Sequence, residues 1–197
     1  MSSLLANFVW FHAAYYTKSP AGICYNILGM NRNMKMTLKA WPVITVLTIA
    51  IFYLTQLVAG WFGVELPDQA NLDIVRKYIG WNKVFILLCA QVLFIMPAVE
   101  EFVFRWLAFM LPARIAAKRA PSLLAFDFPL CILSSALFSA AHYITQPWPD
   151  AAFIALFFFG LVQCRLYQKT DRIWCPMLNH FLFNLTNLAL LVVLPQQ

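Results

Sequence analysis

Five apolar stretches dominate this chain, and their length dictates what it can become. They run roughly Trp41–Gly63, Lys83–Leu111, Ser122–Tyr143, Ala151–Tyr167 and Ile173–Leu194. A spanning helix needs about 20 apolar residues, so these stretches predict an all-α, polytopic transmembrane bundle of about five spans. The fourth is short. The second is long enough to tilt or bend, and Pro97 lies one turn before Glu101, where a kink is expected. Composition agrees: of 197 residues, 62% are hydrophobic and 11% charged, against roughly 25% charged in ordinary soluble domains.

The formal net charge of +6 raises nucleic acid as a partner, but the positions of the charges argue against it. They flank apolar runs instead of forming a basic stripe with interleaved aromatics, so the lipid bilayer is the expected partner and nucleic acid is not. Lys18, Arg32, Lys35 and Lys39 precede the first span, with no acid among them. Arg114, Lys118 and Arg119 follow the second; Arg165, Lys169 and Arg172 follow the fourth. Between the first two spans Arg76 and Lys77 are offset by Glu65, Asp68 and Asp73, and residues 144–150 carry no base. The positive-inside rule then predicts a multi-pass protein of the cell membrane, N-terminus cytoplasmic and C-terminus outside.

Residues 1–40 read as an N-terminal cytoplasmic or interfacial segment and 41–197 as the transmembrane domain. Within the first, residues 1–16 are apolar and aromatic but short, which fits an interfacial helix. They lack the basic region and the small-residue site of a cleavable signal. The five cysteines are odd in number and lack metal-ligand spacing, so they are expected to pack as small hydrophobes.

The second span contains Glu100, Glu101 and Arg105. A charged side chain at the bilayer centre costs at least ~2.5–3.5 kcal/mol, so three within six positions demand a reason. Glu101 and Arg105 are four apart and share a helix face. Glu100 is rotated by about 100° from Glu101. One carboxylate can therefore be neutralised by the arginine while the other remains in apolar surroundings as a candidate general base. Phe138 and His142 are also four apart, as are His180 and Asn184. His142 can bond a water or a carboxylate, and a His–Asn pair on one face offers two donors toward one point, as an oxyanion hole needs.

Simpler readings exist for each piece. Glu101–Arg105 alone reads as an ion pair that pins packing, and His180 with Asn184 as interhelical glue, typically worth ~0.6 kcal/mol. Neither explains Glu100. In straight helices His142 falls near the outer end of its span and His180 nearer the inner end. Convergence on Glu100 then needs tilted helices, a bend at Pro97 or a short, displaced fourth helix.

Glu100-Glu101-x-x-x-Arg105, Phe138-x-x-x-His142 and His180-x-x-x-Asn184, in that order, resemble the three motifs of the CAAX protease and bacteriocin-processing (CPBP) family. Phe159-Gly160-Leu161 to Leu166-Tyr167-x-x-Thr170 resembles that family's lead-in to the last motif. The resemblance covers about residues 87–190. It implies an intramembrane endopeptidase acting on a membrane-associated peptide or protein. Glu100 and His142 would activate a water, His180 and Asn184 would stabilise the oxyanion, and Glu101 and Arg105 would orient the site. With two candidate histidines and no HExxH, neither metal nor other cofactor is expected. Serine and aspartyl classes fit poorly, since GxSxG is absent and Asp127 stands alone, as a cap or interfacial residue. The alternative reading is a non-enzymatic immunity or scaffold protein that binds a peptide or protein partner through the same cavity.

Overall fold

The computed structural model describes residues 20–66, 75–80, 82–119, 127–144 and 150–193. The interfacial helix expected over residues 1–16 lies outside them, as do residues 122–126 of the expected third span. The chain divides into two units, Met1–Met36 and Thr37–Gln197, and the candidate site belongs wholly to the second.

Every regular element among the described residues is helical. Helix α1 is Pro20–Trp61. The helical run 83–119, here α2, is built from Lys83–Ala90, Gln91–Ile95, Met96–Glu100, Glu101–Met110 and Leu111–Arg119. Then follow α3 (Asp127–Ala141), α4 (Ala152–Thr170) and α5 (Trp174–Val193). Among the described residues three segments are long and apolar enough to cross a membrane: Asn31–Trp61, Lys83–Ala116 and Trp174–Val193.

Two expectations need adjustment. The first helix begins well before Trp41: Pro20 suits a first turn, where its missing N–H is not needed, and the helix then continues through Pro42. Thr45 donates back to the Trp41 carbonyl at 2.9 Å and Thr48 to that of Ile44 at 2.8 Å, so these hydroxyls are satisfied without water. The two central helices also differ from their spans as drawn: α3 ends at Ala141, two residues before Tyr143, and α4 runs to Thr170, three residues past Tyr167. The 15 described residues of α3 reach about 22 Å at 1.5 Å per residue, against a ~30 Å hydrocarbon core. In α4 the second half carries Gln163, Arg165, Gln168 and Lys169, which ends its apolar character early.

Pro97 acts differently from a simple kink. Gln91–Ile95 and Glu101–Met110 on either side of it are π-helical, so the Met96 N–H reaches back to Gln91 O and the Leu111 N–H to Trp106 O. Such π segments are rare and are frequently found at functional sites.

Helix α4 is the centre of the bundle, packed mainly on α3 and also on α5 and the second π segment of α2. Small residues permit this. A Cβ on Gly160 would lie 2.9 Å from Ser135 Cβ and 3.0 Å from its Cα, so the α3 and α4 backbones meet where only glycine fits. The serines of α3 spend their hydroxyls on carbonyls, Ser134 on Phe104 O and Ser139 on Phe153 O, each at 2.6 Å. Apolar packing forms two cores, one around Phe109, Cys131, Cys164 and Tyr167 and one around Ile44, Phe138, Phe159 and Phe183. Cys131, Cys164 and Cys175 are buried free thiols, consistent with packing as small hydrophobes. Asp150, just before α4, accepts from the Tyr143 hydroxyl at 2.7 Å and from the Ala152 N–H.

Candidate active site

The second π segment of α2 opens with Glu101 and carries Arg105 one turn later, both fully buried. Arg105 Nε lies 3.1 Å from Glu101 Oε2, yet neither atom has a hydrogen-bond partner of acceptable angle. The pair is thus Coulombic, held by distance instead of an aligned bond. The guanidinium also lies over the Phe138 ring, 4.5 Å from its centroid, which adds a cation–π contribution of about 0.5–2 kcal/mol.

From α5, His180 enters this pair. Its Nδ1 is 2.9 Å from Glu101 Oε1 and its Nε2 is 3.6 Å from Glu100 Oε2. Both ring nitrogens therefore face carboxylate oxygens. The Nδ1 contact is within hydrogen-bond distance and the Nε2 contact is beyond it, so the imidazole is held by Glu101 and only approached by Glu100. Arg105 and His180 thus give the two acids inside an apolar run polar partners. The two glutamates differ in access: the Glu101 side chain is 0% exposed and that of Glu100 is 16% exposed.

His142 occupies the turn just beyond α3, where its N–H reaches Ser139 O at 3.2 Å. Its Nδ1 lies 2.8 Å from the Phe138 carbonyl. A carbonyl cannot donate, so Nδ1 holds the hydrogen and Nε2 is left as an acceptor, the tautomer a base requires. The Phe138 ring, fully buried, links the parts: its centroid is 4.8 Å from the His142 ring and 6.0 Å from that of His180. Phe159 of α4 meets His180 edge-on at 4.9 Å.

Of the six expected residues, Glu100, Glu101, Arg105 and His180 form one contiguous array. His142 connects to it through the Phe138 ring. The nearest member of the array to Glu100 on another helix is His180. Asn184, one turn after His180, donates from Nδ2 to Val92 O on α2 at 2.9 Å.

Two buried amides escaped the sequence reading. Gln163 Nε2 donates to Asn179 Oδ1 at 3.2 Å, and Asn179 Nδ2 to Thr37 O at 3.4 Å, tying α4, α5 and α1 together beside His180. Both are 0% exposed. The available signal was an amide in an apolar run, the same kind of signal that singles out Asn184. Among the described residues no group of three His, Cys, Asp or Glu side chains is arranged to hold a metal ion.

A family model described as type II CAAX prenyl endopeptidase Rce1-like matches residues 81–186. That is more than half of the chain, and it includes all six residues above. No curated protein and no solved structure matches.

Proposed function

This chain belongs to the type II CAAX prenyl endopeptidase Rce1-like family, and from that premise we propose that it is an intramembrane endopeptidase. Its substrate is the peptide bond of a membrane-associated protein or peptide. The observation that carries the reading is the unequal pair of glutamates. Glu101 is spent on Arg105 and His180, while the Glu100 side chain stays 16% exposed beside the same imidazole.

In this reading Glu100, assisted by His142 Nε2, takes a proton from a water. The resulting hydroxide adds to the peptide carbonyl carbon, whose oxygen becomes an oxyanion. With Nδ1 held by Glu101, His180 Nε2 is the nitrogen left to donate to that oxyanion, because its 3.6 Å contact with Glu100 is longer than a hydrogen bond. Asn184 contributes the second amide hydrogen, since only one is used on Val92 O. When the tetrahedral intermediate collapses, the C–N bond breaks and the proton held by Glu100 passes to the leaving amine. Water plus peptide becomes carboxylic acid plus amine. A general base typically contributes ~10²–10⁴-fold, and one oxyanion donor ~10²–10³-fold. Glu101 and Arg105 orient the array without touching the substrate.

The basic residues beside the apolar runs support an N-terminus in the cytoplasm and a C-terminus outside, with residues 41–197 as the membrane domain. The test of the function is comparative peptidomics of membranes from cells expressing wild type or Glu100→Ala at matched levels. A terminal fragment produced only by wild type is expected. The same fragments from both would overturn the endopeptidase reading in favour of a binding protein.

A further inference from the structure

Asn184 spends one of its two amide hydrogens on the main chain of α2, and the reason lies in a proline. In the first π segment the Met96 N–H bonds Gln91 O, five residues back. The next bond in that register belongs to Val92 O, and its donor would be the N–H of residue 97. Residue 97 is proline, fully buried, and has no N–H to give. Val92 O is therefore the carbonyl that this helix cannot satisfy from its own backbone. In an apolar surrounding an unpaired carbonyl is costly, so a partner must come from elsewhere. Asn184 Nδ2 supplies it, 2.9 Å away.

We infer that Pro97 is a positioning residue for the reaction: it withholds a backbone donor from Val92, which hands that carbonyl to Asn184 and so fixes the Asn184 amide. With Nδ2 anchored through one hydrogen, the second has a restricted direction, on the helix face that Asn184 shares with His180. The carbonyl that anchors it lies on the same helix as Glu100, eight residues earlier. Base and oxyanion donor are thereby referenced to one backbone. The catalytic consequence rests on the oxyanion reading given above; the hydrogen-bond exchange does not.

The exchange makes a non-additive prediction. Pro97→Ala restores a backbone N–H that completes the π register onto Val92 O, so Asn184 becomes dispensable to that carbonyl. Wild type, Pro97→Ala, Asn184→Ala and the double variant are purified in detergent and their melting midpoints compared. Asn184→Ala is expected to lower the midpoint by several degrees in the wild-type background and by less than half as much in the Pro97→Ala background. Equal shifts in the two backgrounds would overturn the inference. Asn184→Leu, which fills the space and cannot donate, repeats the cycle should Asn184→Ala fail to fold.

The same four proteins are assayed on an internally quenched, farnesylated CAAX-tail peptide. Pro97→Ala is expected to lower kcat at least tenfold with KM little changed, and to cause no further loss in the Asn184→Ala background. A Pro97→Ala effect that persists in full without Asn184 would show that the proline acts by another route. Failure of wild type to cut this probe counts against the endopeptidase reading on prenylated tails alone, and the melting cycle still decides the role of Pro97.

Discussion

His180 Nδ1 and Glu101 Oε1 stand 2.9 Å apart, joining α5 to α2 at a point buried from solvent. The contact makes Glu101 the shared partner of two cationic or proton-bearing groups, since Arg105 Nε approaches its other oxygen at 3.1 Å. Glu100 shares the histidine but not the arginine. Adjacent carboxylates therefore have separable duties, and isosteric changes should separate them.

Glu101→Gln keeps an oxygen able to accept from His180 but removes the charge opposite Arg105. A fully buried guanidinium without a counter-charge is expected to cost about 3–5 kcal/mol. The loss is read as a lowered unfolding midpoint in detergent, and a wild-type midpoint would contradict the assignment of Glu101 as the structural acid.

Glu100→Gln should do the reverse. Its side chain lies 3.6 Å from His180 Nε2, beyond hydrogen-bond reach, so the change is expected to leave stability within about 1 kcal/mol. Fragment production should nevertheless fall at least ~10²-fold, the lower range for loss of a general base. A protein that melts like wild type and cleaves like wild type would remove Glu100 from the chemistry.

The elements most legible in the sequence were those for which lipid imposes a strict cost. Runs of membrane-spanning length and the charged trio in one of them follow from that cost, and both are present in the structure. Helix α1 begins earlier than expected because Arg32, Lys35 and Lys39 were read as the edge of the span, although nothing in residues 31–40 stops a helix. The π segments escaped because four-residue spacing assumes an unbroken 3.6-residue period. A proline announces a missing donor but not how the backbone redistributes its bonds. Contact of His180 with both glutamates depends on how α5 is rotated against α2, which no single-helix pattern contains. Gln163 and Asn179 belong to the same class: polar side chains in apolar runs whose meaning appears only once their partners on other helices are known.

The imidazole of His142 offers a test of its tautomer. Nδ1–H is committed to Phe138 O at 2.8 Å, and only Nε2 is available as a base. Asparagine at this position can place its amide donor near Nδ1 and preserve the carbonyl bond, but it has no basic nitrogen. His142→Asn is thus expected to melt close to wild type while cleavage drops by ~10²–10⁴-fold. Full cleavage by this variant would leave the phenylalanine–histidine motif as packing alone.

The meeting of α3 and α4 at Gly160 has an equally specific consequence. Any Cβ there lies 2.9 Å from Ser135 Cβ and 3.0 Å from Ser135 Cα, and neither atom belongs to a flexible side-chain end that can swing aside. Gly160→Ala must therefore push the two helices apart, an overpacking strain expected to cost about 1–3 kcal/mol. The displacement bears on the site as well, because α4 carries Phe159 against His180 and α3 carries Phe138 against Arg105. Ser135→Gly in the Gly160→Ala protein removes the nearer of the two contacts and should restore part of the lost midpoint and of the cleavage. Ser135→Ala keeps the offending Cβ and should restore neither. If both second-site changes rescued equally, the strain would lie with the serine hydroxyl, 3.1 Å from the same position, and not with the approach of the two backbones.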